Sequence, residues 1–251
     1  MPKKPRRSER RTFQGRTLDV SLRSDPRNVN YRMADHKFGQ TVELPIQSKV
    51  WEMPMSNHVN QGKEGMCVGA ATAHWYGTQH NIQTVSYKIA RWLYKLAQAN
   101  DEKAGDNYSG TTITGMMRGL RTKGLIGKFF WIRDFDELLR TLSWHGPVIV
   151  GSEWKEGCFD PDSDGYITFD GETKGGHATC WRILDLEHHR IGIQQSWEPW
   201  HGDGSIVWMS FADIELLLAT RPQITFGEKR VLNLELARPK SFWSKLAFWR
   251  R

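Results

Sequence analysis

The chain has little cysteine, and its cysteines follow no recognisable pattern. Cys67, Cys158 and Cys180 are the only ones among 251 residues, an odd number that is too small for a disulfide framework. Scarce thiols without partners favour a reducing compartment. None of the cysteines has the short spacing of a zinc site, so the sequence predicts no metal ion.

Long apolar runs are also missing. No stretch approaches the roughly 18 consecutive apolar residues that a membrane span needs, and the start, MPKKPRRSERR, lacks the apolar segment of a secretory signal. These absences predict a cytoplasmic location, or association with a virion if the chain is encoded by a virus. Hydrophobic residues make up 39% of the chain and 12 residues are Trp, which is enough to bury the core of one large domain or two lobes.

The net charge of +7 is concentrated at the two ends. Residues 1–16 carry +6 and residues 238–251 carry +5, which leaves −4 on the body between them. Basic ends of this kind can bind an anionic partner, either nucleic acid or a membrane surface, and a disordered solubilising arm is the alternative. The C-terminal tail also carries aromatic residues, so it could lie on a membrane, dock on a partner or pack back on its own domain.

Hydrophobic patterning divides the chain into a lead-in, a domain and a tail. The apolar content rises near Val42, so we assign residues 1–42 to a basic N-terminal arm, residues 43–237 to the domain and residues 238–251 to the tail. Helical patterns come first in the domain. They cover Cys67 to about Gln79, the segment VSYKIARWLYKLAQAN with Ser86 as N-cap, Thr114 to Lys123, and a short helix capped by Asp134.

Strand patterns follow the helices. The runs GPVIVGS, YITF, HATCWRILDL, RIGIQQSW, SIVWMS and VLNLELA are short and apolar or alternating, with the brief helix FADIELLLA between the last two. Helices followed by strands predict an α+β fold with a helical lobe at about 60–145 and a sheet lobe at about 146–237. Two such lobes leave a cleft between them, where functional sites tend to lie.

The stretch VNQGKEGMCVGAA puts Cys67 at the start of the first predicted helix. The helix dipole favours a thiolate there, and a thiolate nucleophile needs a base, which is normally histidine. In GGHATC, His177 begins a predicted strand after Gly175 and Gly176, two residues that let a substrate backbone approach closely. A buried structural thiol at Cys67 and a buried structural histidine at His177 are the alternatives.

Four motifs in sequence resemble those of the papain-like cysteine peptidases. The Gln-Gly-x-x-Gly-x-Cys block of that family is matched by Gln61, Gly62, Gly65 and Cys67, the Gly-His-Ala block by Gly176, His177 and Ala178, the Asn-Ser-Trp-Gly block in part by Gln195, Ser196 and Trp197, and a Gly-Pro-Val strand start by Gly146, Pro147 and Val148. The resemblance spans about residues 43–220, and GDGSIVWMSFADI is similar to the end of the domain in bacterial and phage-like members.

The resemblance implies a two-lobe papain-like fold, in which a cleft separates a helical lobe from an antiparallel β-sheet or barrel lobe. It also implies an endopeptidase that acts on polypeptides without a cofactor. Cys67 would attack the scissile carbonyl, and His177 would pair with it and protonate the leaving amine. Gln61 and the Cys67 backbone N–H would form the oxyanion hole. Gln195 would orient His177 and Trp197 would cover their bond, while Gly65, Gly175 and Gly176 would line the substrate site together with Trp197.

Departures from the family pattern leave other functions open. Gln195 replaces the orienting Asn, which predicts retained but slower catalysis, or only local packing. The lead-in is too short for the usual inhibitory propeptide, so we expect a chain that is active as made or is controlled in another way. The alternatives are a catalytically decayed structural or binding protein, such as part of a virus particle, and an acyl-transfer enzyme with the same triad.

Overall fold

The computed structural model describes five stretches of the chain. They are residues 11–22, 44–103, 108–197, 205–230 and residue 234. The first ten residues and the whole C-terminal tail lie outside these stretches, and so does most of the predicted strand VLNLELA. The predicted anionic partner depends on these two ends and stays a prediction.

Three helices form one side of the molecule. They are α1 (Cys67–Tyr76), α2 (Tyr87–Gln98) and α3 (Ile113–Thr122). The side chain of Ser86 caps α2 as predicted, by accepting a hydrogen bond from a backbone N–H of the first turn, and Thr112 caps α3 in the same way. All ten residues of α1 are buried, because its small apolar side chains let the other helices and the sheet pack closely around it.

The described residues also form ten strands. They are β1 (Arg11–Phe13), β2 (Arg16–Leu18), β3 (Lys49–Val50), β4 (Ile126–Ile132), β5 (Val148–Lys155), β6 (Tyr166–Ile167), β7 (Thr173–Asp185), β8 (Arg190–Gln194), β9 (Ile206–Ser210) and β10 (Gln223–Lys229). Two short helices accompany them, α4 (Phe135–Arg140) and α5 (Phe211–Ala219). The α5 helix lies where the sequence predicts it.

Eight of the strands form one mixed sheet. Its order is β4-β10-β5-β7-β8-β9-β6, and β3 pairs with β7 outside that path. The pairs are antiparallel except β6 with β9, which run parallel. No pairing among the described strands closes this sheet into a barrel, so the α+β prediction is confirmed with an open sheet as the second lobe. Strands β4 and β10 are not among the predicted elements.

The long strand β7 separates two hydrophobic clusters. Ala178 and Cys180 pack with the three helices, whereas Trp181 and Leu184 pack in a second cluster among the strands. Successive side chains of a strand point to opposite faces, which separates Cys180 from Trp181, and an irregularity between Trp181 and Ile183 places Leu184 on the same face as Trp181. His177 therefore lies on the element that joins the two halves of the core. No helix among the described residues combines the length and apolar character that a membrane span requires.

One buried histidine of α1 makes the fold sensitive to acid. His74 is fully buried, and its Nε2 accepts a hydrogen bond from the Val59 backbone N–H at 2.9 Å. The pKa of His74 is lowered to about 3, mainly by burial and to a smaller extent by the neighbouring His58 and Arg182. The neutral form is thus the one that the folded chain accommodates.

We expect His74 to contribute stability above pH 6.5, its ordinary pKa, and to lose that contribution as the pH falls towards 3. The unfolded chain binds the proton first, so the loss at pH 4.5 should be about 2–3 kcal/mol from this residue. His74→Gln keeps an acceptor but cannot titrate. Urea unfolding at pH 7 and pH 4.5 should show a smaller loss in the variant, and an equal loss in both proteins would contradict the assignment.

Candidate active site

Cys67 is the first residue of α1, and its thiol is fully buried. Burial raises the pKa of Cys67 to about 11, although backbone N–H groups of Asp19 and Ala178 face the sulfur and favour the thiolate. The carboxylate of Asp19 acts in the opposite direction and favours the protonated thiol. Ala178 follows His177 in β7, so the sulfur lies beside the strand that carries the predicted base.

His177 is held in a defined orientation on β7. Its Nε2–H donates to Gln195 Oε1 at 3.0 Å, and its ring stacks on Trp197 with the centroids 4.2 Å apart and the planes 11° from parallel. The indole of Trp154 meets the imidazole edge-on at 4.9 Å. The other ring nitrogen, Nδ1, is buried and has no hydrogen-bond partner among the described residues. It is therefore available to accept a proton.

The surroundings of His177 favour its neutral form. The pKa of His177 is lowered to about 3, mainly by burial; the bond to Gln195 acts the other way, and the Arg16 guanidinium adds a smaller lowering. A neutral imidazole and a protonated thiol are the resting forms that these surroundings favour, and no hydrogen bond joins Cys67 to His177 among the described residues.

Gln195 follows the last residue of β8 and hydrogen-bonds the imidazole of His177. Its backbone N–H donates to the Ser205 carbonyl at 2.8 Å, which fixes the main chain at this point. The longer side chain still brings Oε1 within hydrogen-bonding distance of His177, so the extra methylene is accommodated.

Gln61 belongs to the segment before α1 and contacts the segment that follows β8. Its Nε2 donates to the carbonyl oxygens of Glu64 at 3.0 Å and Thr17 at 3.2 Å. Its backbone N–H donates to the Ser196 carbonyl at 2.7 Å. The amide predicted to bind an oxyanion is therefore tied to the loop of Gln195 and already binds a carbonyl from the chain's own N-terminal region.

The predicted substrate site holds a segment of the same chain. The Val20 N–H donates to the Gly176 carbonyl at 3.0 Å on the sheet side, and the Ser21 N–H donates to the Thr111 carbonyl at 2.9 Å on the helical side. A β-carbon at Gly176 would overlap the Val20 carbonyl oxygen, and one at Gly65 would overlap the Asp19 carboxylate. The missing side chains thus make room for an extended backbone.

A hairpin anchors this segment. Strands β1 and β2 pair through a turn at Gln14 and Gly15, both with positive φ, which is typical of a tight hairpin. An Arg16 N–H donates to the Phe159 carbonyl at 2.6 Å, and Leu18 is fully buried against Gly175. A cavity of about 370 Å³ remains beside residues 18–22.

The sequence predicted a basic arm at residues 1–42 and gave it no role in the cleft, whereas the structure places the hairpin and the segment after it there. Sequence reasoning missed it, although RTFQGRTL contains two short alternating runs on either side of a turn-forming Gln-Gly pair. All eight predicted site residues contact this segment or one another. They are Gln61, Gly65, Cys67, Gly175, Gly176, His177, Gln195 and Trp197.

Two charged side chains of the segment disfavour a thiolate at Cys67 and an imidazolium at His177. The Arg16 guanidinium lies 5.5 Å from the centre of the Trp197 ring that stacks on His177, and it disfavours a second proton on the imidazole. The Asp19 carboxylate, which accepts a hydrogen bond from Ser109 Oγ, disfavours negative charge on Cys67. Both charges therefore stabilise the neutral pair.

Comparison with known proteins gives a result at the level of structure only. No protein-family model matches the chain, and no curated protein matches it. Among solved structures, xylellain, a cysteine protease from Xylella fastidiosa, is 17% identical, with a TM-score of 0.65 over 88% of this chain and 98% of that one.

Two further structures share the fold and are proforms. The cysteine protease Amb a 11 of ragweed pollen is 16% identical, with a TM-score of 0.55 over 78% of this chain and 70% of its own. Procathepsin B S9 of Trypanosoma congolense is 11% identical, with a TM-score of 0.52 over 85% and 83%. These similarities, together with the arrangement of helices and sheet around the cleft, show that the chain has the α+β fold of the papain-like cysteine proteases.

Proposed function

We propose that the chain is a cysteine endopeptidase with Cys67 as nucleophile and His177 as its base, and that residues 16–22 keep it in an occluded state. The observation that carries the proposal is the fixed imidazole. It is bonded at Nε2, stacked on Trp197 and unbonded at Nδ1, next to the strand residue whose N–H faces the Cys67 sulfur.

The chemistry follows from these groups. His177 Nδ1 accepts the thiol proton, and the Cys67 thiolate attacks the carbonyl carbon of a bound polypeptide. The oxyanion that forms accepts hydrogen bonds from Gln61 Nε2 and the Cys67 backbone N–H. His177 then protonates the leaving amine, and water hydrolyses the thioester and regenerates the thiol.

Gln195 serves as the orienting residue in place of Asn. Support comes from the 3.0 Å bond between its Oε1 and His177 Nε2, which keeps the proton on Nε2 and leaves Nδ1 as the acceptor. That contact argues against a decayed site. The acyl-transfer alternative uses the same groups and differs only in the acceptor of the acyl group.

The occluding segment takes up positions that a substrate would use. Its Thr17 carbonyl accepts a hydrogen bond from Gln61 Nε2, as the carbonyl of a substrate would. The backbone N–H of Asp19 faces the Cys67 sulfur. The segment must therefore be displaced before another polypeptide can bind and react.

Leu18→Asp in the full chain should release the segment and start proteolysis. Leu18 is fully buried, and an unpaired carboxylate in its place costs several kcal/mol, so cleavage of labelled casein should rise by more than about 10-fold. Leu216→Asp, a matched change at an exposed position of α5, should leave the rate unchanged.

Cys67→Ala in the Leu18→Asp chain should abolish that cleavage, whereas Cys158→Ala, at another buried free thiol, should retain it. A folded Leu18→Asp chain that cleaves nothing would refute the peptidase proposal. Transfer of the acyl group to an added amine, in place of hydrolysis, would instead identify an acyl-transfer enzyme.

Substitutions of Gln195 test whether it orients the base. In the Leu18→Asp chain, Gln195→Ala should lower kcat by about 10- to 100-fold, because the ring loses its hydrogen bond. Gln195→Asn should also lower kcat, since its shorter side chain withdraws the oxygen from a contact now at 3.0 Å. Unchanged kcat in both variants, measured by steady-state hydrolysis, would limit Gln195 to packing.

A further inference from the structure

A hydrogen-bonded series of polar side chains, Arg182, Gln194 and His58, leads to the backbone of Trp197. The proposed mechanism uses none of these three side chains. Arg182 Nε donates to Gln194 Oε1 at 3.1 Å, and Gln194 Nε2 lies 3.4 Å from His58 Nδ1. His58 Nε2 in turn lies 3.1 Å from the Trp197 carbonyl oxygen, which also accepts a hydrogen bond from Ser205 Oγ at 3.3 Å. Arg182 and Gln194 are buried, and His58 is half-buried.

The donors and acceptors of this hydrogen-bonded series fit in one direction only. A guanidinium only donates, so it fixes Gln194 with the amide oxygen towards Arg182 and the NH₂ group towards His58. Facing a donor, His58 Nδ1 must accept, and a neutral imidazole then carries its proton on Nε2. That proton points at the Trp197 carbonyl, which is an acceptor. Each group therefore sets the orientation of the next.

Trp197, at the end of this hydrogen-bonded series, supports the proposed catalytic pair. The Trp197 indole stacks on His177, so a shift of the Trp197 backbone would change the ring that holds the imidazole. His58 also belongs to the segment that leads to Gln61, whose N–H binds the Ser196 carbonyl next to Trp197. The contact of His58 with Trp197 thus lies between the two loops that meet at the site.

We propose that His58 is a positioning residue, fixed as its Nε2–H tautomer by Arg182 through Gln194, that holds Trp197 against His177. The effect on turnover rests on the proposed peptidase function, whereas the tautomer does not. His58 contacts no substrate in this account and acts on His177 through the carbonyl of Trp197, beside Ser205 Oγ, which lies 3.5 Å from His58 Nε2.

The first experiment measures the tautomer in the full wild-type chain. Nitrogen NMR of a chain with ¹⁵N-labelled histidine, with the His58 signals assigned by their loss in His58→Gln, should show a protonated Nε2 and an unprotonated Nδ1. Gln194→Leu removes the donor that faces Nδ1, and both tautomers should then be populated. A protonated Nδ1 in the wild-type chain would overturn the proposal, and so would a Gln194→Leu spectrum identical to that of the wild type.

The second experiment measures turnover in the Leu18→Asp chain. His58→Leu should lower kcat by about 10- to 100-fold with KM within about 2-fold, because the base is misplaced while the substrate cleft is intact. His58→Gln, which keeps a side-chain N–H for the carbonyl, should recover most of the loss. His188→Leu, at an exposed histidine in the turn before β8, should have no effect.

The outcomes separate this proposal from the peptidase proposal. Equal kcat in the His58→Leu and parent chains would overturn the positioning role, and so would an equal loss in His58→Leu and His58→Gln at the same thermal stability. A Leu18→Asp chain without activity would count against the peptidase proposal, and the NMR measurement would still decide the tautomer of His58.

Discussion

The orientation of a single imidazole is the constraint on which the site depends. A histidine can take a proton from a thiol only if its ring is fixed and one nitrogen remains unbonded. The fold meets both requirements at His177 by placing it on β7, the strand shared by the two core clusters, and by clamping its ring between Gln195 and two indoles. Such rigidity comes from burial and stacking, which do not need an exposed, mobile loop.

Occlusion and electrostatics act together in this structure. The segment that fills the cleft uses backbone hydrogen bonds to both walls, as an extended polypeptide would. Burial is the main reason why the thiol and the imidazole are held neutral, and the Asp19 carboxylate and the Arg16 guanidinium of the segment act in the same direction. Removal of the segment would therefore do more than open the cleft, because it would also remove two charges that oppose ionisation of the pair.

Sequence patterns predicted the elements that depend on local chemistry. The periodicity of α2 with its Ser86 cap and the buried α1 after Cys67 reflect local propensity, and the structure confirms them. The predicted order of helices before strands holds only in part, because three short strands precede α1. The elements that were missed depend on distant partners. Strand β10 lies between β4 and β5 in the sheet, and the hairpin of residues 11–18 is stabilised by Phe159, so neither is fixed by its own pattern. The contact of Gln195 with His177 also needed coordinates, because one methylene decides whether it forms.

The pairing of Cys67 with His177 is tested most directly by the rate at which iodoacetamide modifies Cys67. Mass spectrometry separates its product from those of Cys158 and Cys180, and the measurement is made at pH 6 in the Leu18→Asp chain with and without His177→Ala. The account predicts that Cys67 reacts at least about tenfold faster when His177 is present, because an imidazolium partner lowers the pKa of a thiol. Equal rates in the two chains, in proteins shown to be folded, would contradict it.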